Sequence, residues 1–418
     1  MYLFIVFLCD KNSSEKPVFL CYTEVKEEKI MKKFLEMPFL GRGFRPFFLM
    51  GAIYAVYVMT VWGGVYGGSG ISQTLFGDPV LWHAHEMIFG FTVAIIAGFL
   101  LTAVANWTGG APTRQAHLLV LSLLWLGGRV AINCADDLPL WFVAILDCSF
   151  LPVLAVSLSI PLVKSRNKRN FVFLFLLAAF FTCNVLFYSF AEKWPLYPAL
   201  MIIMIMISLI GGRVIPAFTV AALRRKGMMV YQKDQYSLDL AAVASLGVLI
   251  ISMAVVGPEH IITGTIALIS SVLHAIRMKN YYLLPSLKDP MLWMLHVGYS
   301  WLVVGLASLS ASAFWGFPVS AAIHALTAGA IGTMTISMMT RVALAHTGRE
   351  LIANPLMLTA FFIMIGAGLL RVIGPVLMAD DLALSMEISA YMWAACFAIY
   401  IINFSAILWS KRPDGLPA

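Results

Sequence analysis

Only 12% of the 418 residues are charged and 61% are hydrophobic, against about 25% and 45–50% in soluble domains. A water-soluble fold cannot hide that much apolar surface, so lipid must be the solvent for most of the chain. A net charge of +7 would suggest nucleic acid in a soluble protein; here the placement of Lys and Arg accounts for it, and no nucleic-acid partner is expected.

The first 30 residues stand apart. The opening MYLFIVFLC is too short to cross a bilayer, no small-residue cleavage site follows it, and DKNSSEKPVFLCYTEVKEEKI is polar. A second methionine, Met31, opens MKKFLEMPFLGRGFRPFF, a basic start suited to a membrane protein. Residues 1–37 are therefore expected to be a poorly ordered N-terminal extension, with Met31 as an alternative start. Residues 38–412 form one membrane domain, and 413–418 a tail.

Apolar runs follow at about 47–67, 82–104, 117–134, 139–163, 171–190, 196–218, 238–257, 260–277, 290–311, 317–340, 355–379 and 386–409. Each is long enough to cross a hydrocarbon core roughly 30 Å thick. Backbone amides in lipid must be bonded within the segment, and long uninterrupted runs favour helices over the alternating strands of a barrel. The fold class is all-α: a polytopic membrane bundle of about twelve transmembrane helices. Loop charge alternates. Lys164, Arg166, Lys168 and Arg169 follow the fourth run, Arg224, Arg225, Lys226 and Lys233 the sixth, and Arg277, Lys279 and Lys288 the eighth. The opposite loops carry Asp78, Asp136, Asp137, Glu259, Asp380 and Asp381, with Lys193 among them. The positive-inside rule then places both termini in the cytoplasm. Cys9, Cys21, Cys134, Cys148, Cys183 and Cys396 show no paired spacing and read as packing residues. No Walker A run or HExxH is present, which leaves ATP-driven transport and zinc proteolysis unsupported.

Ionisable residues at membrane depth point to function. The second run begins at the outer face with Trp82, His83, Ala84, His85 and Glu86; the tenth meets His324 about seven residues in, roughly 10 Å deep. Arg129, Asp147 and Arg371 lie in outer halves of their runs. Imidazoles from two facing helices suit a low-spin haem, and buried arginines suit its propionates. His85 and His324 are the preferred axial pair, with Arg129 or Arg371 for the propionates. His83 and His85 stand about 200° apart on a regular helix, so one iron takes only one of them. Alternatives are His83 in place of His85 and His296 in place of His324. Glu86 is read as a carboxylate orienting a histidine, or as an interfacial residue, and Asp147 with Arg129 as an ion pair. Nearer the cytoplasm lie His274, His296 with Tyr299 and Ser300, Arg213, Arg341 and His346, where a metal, haem or quinone is a candidate ligand. His85, His324, His346 and His274 are the candidate metal ligands, and Met334, Met338 and Met339 would suit Cu(I) beside an imidazole. His117 and His260 read as interfacial.

Six stretches resemble one family. FRPFF at 44–48, WHAHEMIFGF at 82–91, AGFLLTAVANWTG at 97–109, GGRVIPAFT at 211–219, LHVGYSWL at 295–302 and HALTAGAIGTMTISMMTRVALAHTGR at 324–349 together resemble the NnrS family of bacterial membrane proteins. ANWTG replaces the PNWTG common in that family. The resemblance implies a role in denitrification, the response to nitric oxide and nitrosative stress, with haem and copper as cofactors. It also implies nitric oxide or a related nitrogen oxide, and a quinol or other respiratory electron donor, as partners within the lipid bilayer; if the protein is an enzyme, it is a membrane oxidoreductase acting on nitrogen oxides. A fold-level analogy joins it: haem-copper oxidases and nitric oxide reductases place low-spin haem ligands on the second and tenth of twelve helices, although the sixth run here holds no histidine. The competing reading is a secondary transporter or metal-handling permease using Arg213, Arg341 and Asp147 with Gly211, Gly212 and Pro216 as helix interruptions; a passive scaffold would need none of these groups.

Overall fold

The computed structural model describes residues 31–69, 73–378 and 380–416; the expectations for residues 1–30 lie outside them. Among the described residues 80% are helical and there is no strand, only a bridge between Leu75 and Asp78. Twelve helices are long and apolar enough to cross a membrane. They are α1 (Phe44–Gly67), α2 (Pro79–Thr108), α3 (Gln115–Asn133), α4 (Leu140–Lys164), α5 (Val172–Phe190), α6 (Leu196–Arg225), α7 (Tyr236–Val256), α8 (Ile261–Met278), α9 (Pro290–Trp315), α10 (Val319–His346), α11 (Pro355–Leu377) and α12 (Leu382–Trp409). Twelve crossings return the chain to the face from which it started.

Helix ends extend a few residues past the apolar runs because capping residues are polar and hydropathy does not register them. Asp78, Asp289 and Asn354 each precede a proline and accept a bond from a backbone N–H of the first turn, at 2.7, 3.1 and 2.9 Å. Proline at the first helical position lacks only an N–H that would have gone unpaired. Gly68, Gly109 and Gly316 end α1, α2 and α9 in the left-handed region, at φ 67°, 64° and 68°.

Lipid gives apolar side chains no reason to hide, so helices pack by close approach rather than by hydrophobic drive. The outward faces accordingly carry Ile145, Ile160, Phe175, Ile251, Val255 and Ile402. Helices α2 and α10 are the most enclosed of the twelve; α1 lies along α12, and α12 along α11. At Gly298 of α9 an added Cβ would stand 3.0 Å from the backbone nitrogen of Met334, which fixes how near α9 and α10 run.

The two central helices share a departure from α geometry. Glu86–Thr92 in α2 and Ala325–Ile331 in α10 are seven-residue π-helical segments. Each begins directly after a histidine, His85 in one and His324 in the other. Thr92 follows the wider turn by donating its hydroxyl to Met87 O, five residues back, at 2.7 Å. Such segments are rare and concentrate where a helix must re-aim side chains.

Candidate functional site

Between α2 and α10 lies a cavity of about 730 Å3, within the range of roughly 300–1,000 Å3 common for ligand and cofactor sites. Its wall is mainly apolar and aromatic, with Trp62, Met87, Leu200, Ile323, Ile331 and Trp393 among its residues, and Lys193 and Glu259 reach it from loops on the acidic face. His83, His324 and Arg371 also line it. The His83 ring stacks on Trp62 with centroids 4.1 Å apart and planes within 9°. Its Nδ1 is buried with no hydrogen-bond partner. His324 donates from Nδ1 to the Ser320 carbonyl at 2.6 Å. That bond fixes the tautomer and leaves the Nε2 lone pair free, the arrangement seen in histidines that bind metal. Arg371 donates to the Ser320 hydroxyl at 3.3 Å from Nη2, while its buried Nη1 has no acceptor. One serine thus holds both a histidine and an arginine at the cavity wall.

His85 faces the other way. The 200° between the two histidines sends its ring toward α4 and α5, against Phe89 and Phe187 at 5.0 and 4.8 Å. Nδ1 donates to Glu86 Oε1 at 2.8 Å and Nε2 to Asn184 Oδ1 at 2.9 Å, with Asp147 Oδ2 at 3.3 Å. Asn184 is oriented by its own bond from Nδ2 to Asp147 Oδ2 at 2.8 Å, so its oxygen must accept. Both imidazole nitrogens are thus engaged with protein oxygens. Of the expected pair, His324 lines the cavity and His85 does not; the histidine that α2 presents there is His83.

Arg129 likewise does not line the cavity. It donates from Nη1 to Glu86 at 2.6 Å and from Nη2 to Asp147 in a very short contact. Tyr54 donates to the second oxygen of Glu86, and Asn133 braces both Tyr54 and the Arg129 carbonyl at 3.1 and 2.8 Å. Arg129 thus bridges the carboxylates of Glu86 and Asp147, both of which also lie against His85; Arg129 Nε has no acceptor. Glu86 does orient a histidine, but one that lies outside the cavity.

The remaining candidates are engaged elsewhere. His274 donates from Nδ1 to Ser270 O at 2.8 Å and accepts from Ser208 at 3.0 Å, beside Arg277, which bonds Asp239, Ser208 and Tyr299 at 2.6–2.9 Å. His296 has a backbone carbonyl against each ring nitrogen, Leu292 O and Tyr281 O, both at 3.0 Å, and does not line the cavity. His346 accepts from Arg42 at 3.1 Å. Met334 and Met338 line a second, smaller apolar pocket that contains no histidine. Among the described residues, no three of His, Cys, Asp and Glu gather as a metal would require. The groups of the transport reading also miss the cavity. Arg213 bonds Asn170 at 2.8 Å, Arg341 lies over the Phe218 ring at 4.2 Å, and Gly212 makes room for the Arg277 guanidinium.

Sequence reasoning did not single out Trp62, Ser320, Tyr54 or Asn184. Asn184 carries a usable signal, being a lone amide inside the apolar run FFTCNVLF. For Trp62 and Ser320 there was none, since an aromatic and a small hydroxyl are ordinary in membrane helices.

No curated protein matches the chain. The family described as NnrS protein matches residues 38–412, a span that takes in all twelve helices and both faces of the cavity, and the chain therefore belongs to the NnrS family.

Proposed function

We propose that this multi-pass membrane protein acts in the nitric oxide response by holding a haem in the cavity between α2 and α10, where His83 and His324 would be the residues that bind its iron. The observation that carries the reading is that these two half-buried histidines, on facing helices, line one cavity with ring nitrogens unclaimed by protein. Family membership supplies the nitric oxide context.

The residues fit a haem by chemistry as well as by space. The apolar wall suits a porphyrin face, and the orphaned Nη1 of Arg371 suits a propionate. When bound, haem would supply one-electron transfer. The chain's own contributions can be assigned. Ser320 keeps His324 in the tautomer whose Nε2 is basic, and Trp62 holds the His83 ring in plane. Leu200, Ile323, Ile331 and Trp393 give the cavity an apolar wall, and beside such a wall the pull of Arg371 on an anionic group is stronger than in water. In the orientation favoured by loop charge, the basic loops and both termini lie in the cytoplasm and the cavity opens toward the outer face of the inner membrane. A quinol or other respiratory donor is the electron source this reading calls for.

Visible absorption of protein purified from haem-replete cells tests it. A sharp Soret band with low-spin features is expected, lost or converted in His83→Ala and in His324→Ala and retained in His117→Ala and His260→Ala. Absence of the band in the wild type, or wild-type spectra from both cavity variants, overturns the assignment.

A further inference from the structure

A second site lies at the opposite, basic end of the bundle, built by arginines that the haem reading does not use. Arg45, in the first turn of α1, is fully buried. Its Nη1 donates to Leu408 O at 2.7 Å and Ser410 O at 2.8 Å, while Nε and Nη2 are buried with no acceptor. Arg42 has a buried, unpartnered Nε as well, and donates from Nη1 to His346 Nδ1 at 3.1 Å. Arg412 donates to His346 O at 3.0 Å, and Arg349 to the Ser410 hydroxyl at 3.1 Å. Four guanidiniums from three distant stretches of chain thus converge on two residues, His346 and Ser410.

The balancing charge is missing. Among the described residues the carboxylate paired here is that of Asp414, and it is held by Arg412. Burial together with the like charge of Arg412 pushes the Arg42 guanidinium below its ordinary value, a sign that the protein itself does not neutralise the cluster. The Phe44 ring, 5.7 Å from the Arg45 guanidinium, offers only a weak cation–π contact. Ordered water would satisfy the idle N–H groups and leave the surplus charge untouched. An anion would satisfy both.

The donors also indicate which anion. Guanidinium N–H groups presented in planar pairs match the oxygens of phosphate better than a spherical ion, and basic pockets at the cytoplasmic ends of membrane helices sit at the level of lipid headgroups. We propose that Arg42, Arg45, Arg349 and Arg412 form a binding site for a phosphate-class oxyanion, supplied by the headgroup of an anionic phospholipid or by free phosphate. The site would clamp the segment after α12 against the start of α1 and the end of α10.

The test follows thermal unfolding of the full-length, delipidated protein in phosphatidylcholine nanodiscs. One arm adds phosphatidylglycerol to the discs, and the other adds inorganic phosphate against chloride of equal ionic strength. Each arm is run on the wild type, on Arg45→Gln, on the double variant R42Q/R349Q and on K164Q/R169Q, which removes exposed charge from a basic loop elsewhere. The expected result is a stabilising shift in at least one arm that falls at least threefold in R42Q/R349Q and persists in K164Q/R169Q. A shift with phosphatidylglycerol identifies the lipid as the source, and a shift with phosphate the free ion. Should Arg45→Gln not accumulate, the half-buried Arg42 and Arg349 still decide the matter. The proposal is overturned if neither probe stabilises the wild type beyond chloride, or if R42Q/R349Q responds as the wild type does.

Discussion

Two buried polar groups share helix α2, and they are built on opposite principles. On the side facing α3, α4 and α5, Glu86, His85, Arg129 and Asp147 close on one another in one network of ion pairs and hydrogen bonds. Facing α10, His83 and Arg371 keep nitrogens with nothing to bond. Both sets lie where an unpaired charge is costly, so the closed set is explained by its own pairing and the open set is not. The unspent bonds mark where a ligand belongs; the finished ones mark what holds the wall of the site in place.

That contrast can be broken first at its strongest point. Arg129→Ala strands two carboxylates in the membrane interior, and removing one partner from a buried ion pair costs about 3–5 kcal/mol. Folded protein recovered from membranes should fall severely, with Asp147→Ala similar; normal yields from Arg129→Ala would mean the cluster is not a closed electrostatic unit. A smaller loss is expected from Gly329→Ala on the cavity helix, where the new methyl would meet the Trp301 ring at 2.5 Å. Overpacking of this kind costs roughly 1–3 kcal/mol, read as a lowered unfolding midpoint. An unchanged midpoint would show that Trp301 can yield. The smallest effect belongs to the open set. Arg371 has one long bond to a serine, so Arg371→Ala should alter stability of the ligand-free protein by less than about 1 kcal/mol while weakening retention of an anionic cofactor. A loss as large as that of Arg129→Ala would erase the distinction between the two regions.

Much of this fold was legible because lipid imposes a simple rule: each crossing must be a long apolar helix, and loop charge tells which ends share a face. The presence of histidines on α2 and α10 was legible for the same reason, since ionisable residues stand out against apolar neighbours. Choosing between His83 and His85 was harder. Depth and the nearby Phe89 favoured His85, whereas direction is set by contacts that only packing reveals, above all Asn184 from α5 and the Trp62 ring from α1. Arg45 was hidden differently. FRPFF reads as the apolar mouth of a helix, and nothing in those five letters shows that, besides the nearby Arg42, two more arginines arrive from positions 349 and 412.

The paired π segments give the cavity helices a property that ordinary spans lack. An α-helix turns about 100° per residue, so its two halves stay in phase whatever lies between them. In α2 and α10 the wider turns of Glu86–Thr92 and Ala325–Ile331 reset that phase, and everything beyond them is rotated relative to the histidine that precedes them. Loss of one residue inside either segment would restore a regular ladder at no cost in apolar length. Hydropathy would not register the change, yet the downstream half of the helix would present a different stripe to its neighbours. Length within these two seven-residue stretches should therefore be as strictly constrained as the identity of the histidines.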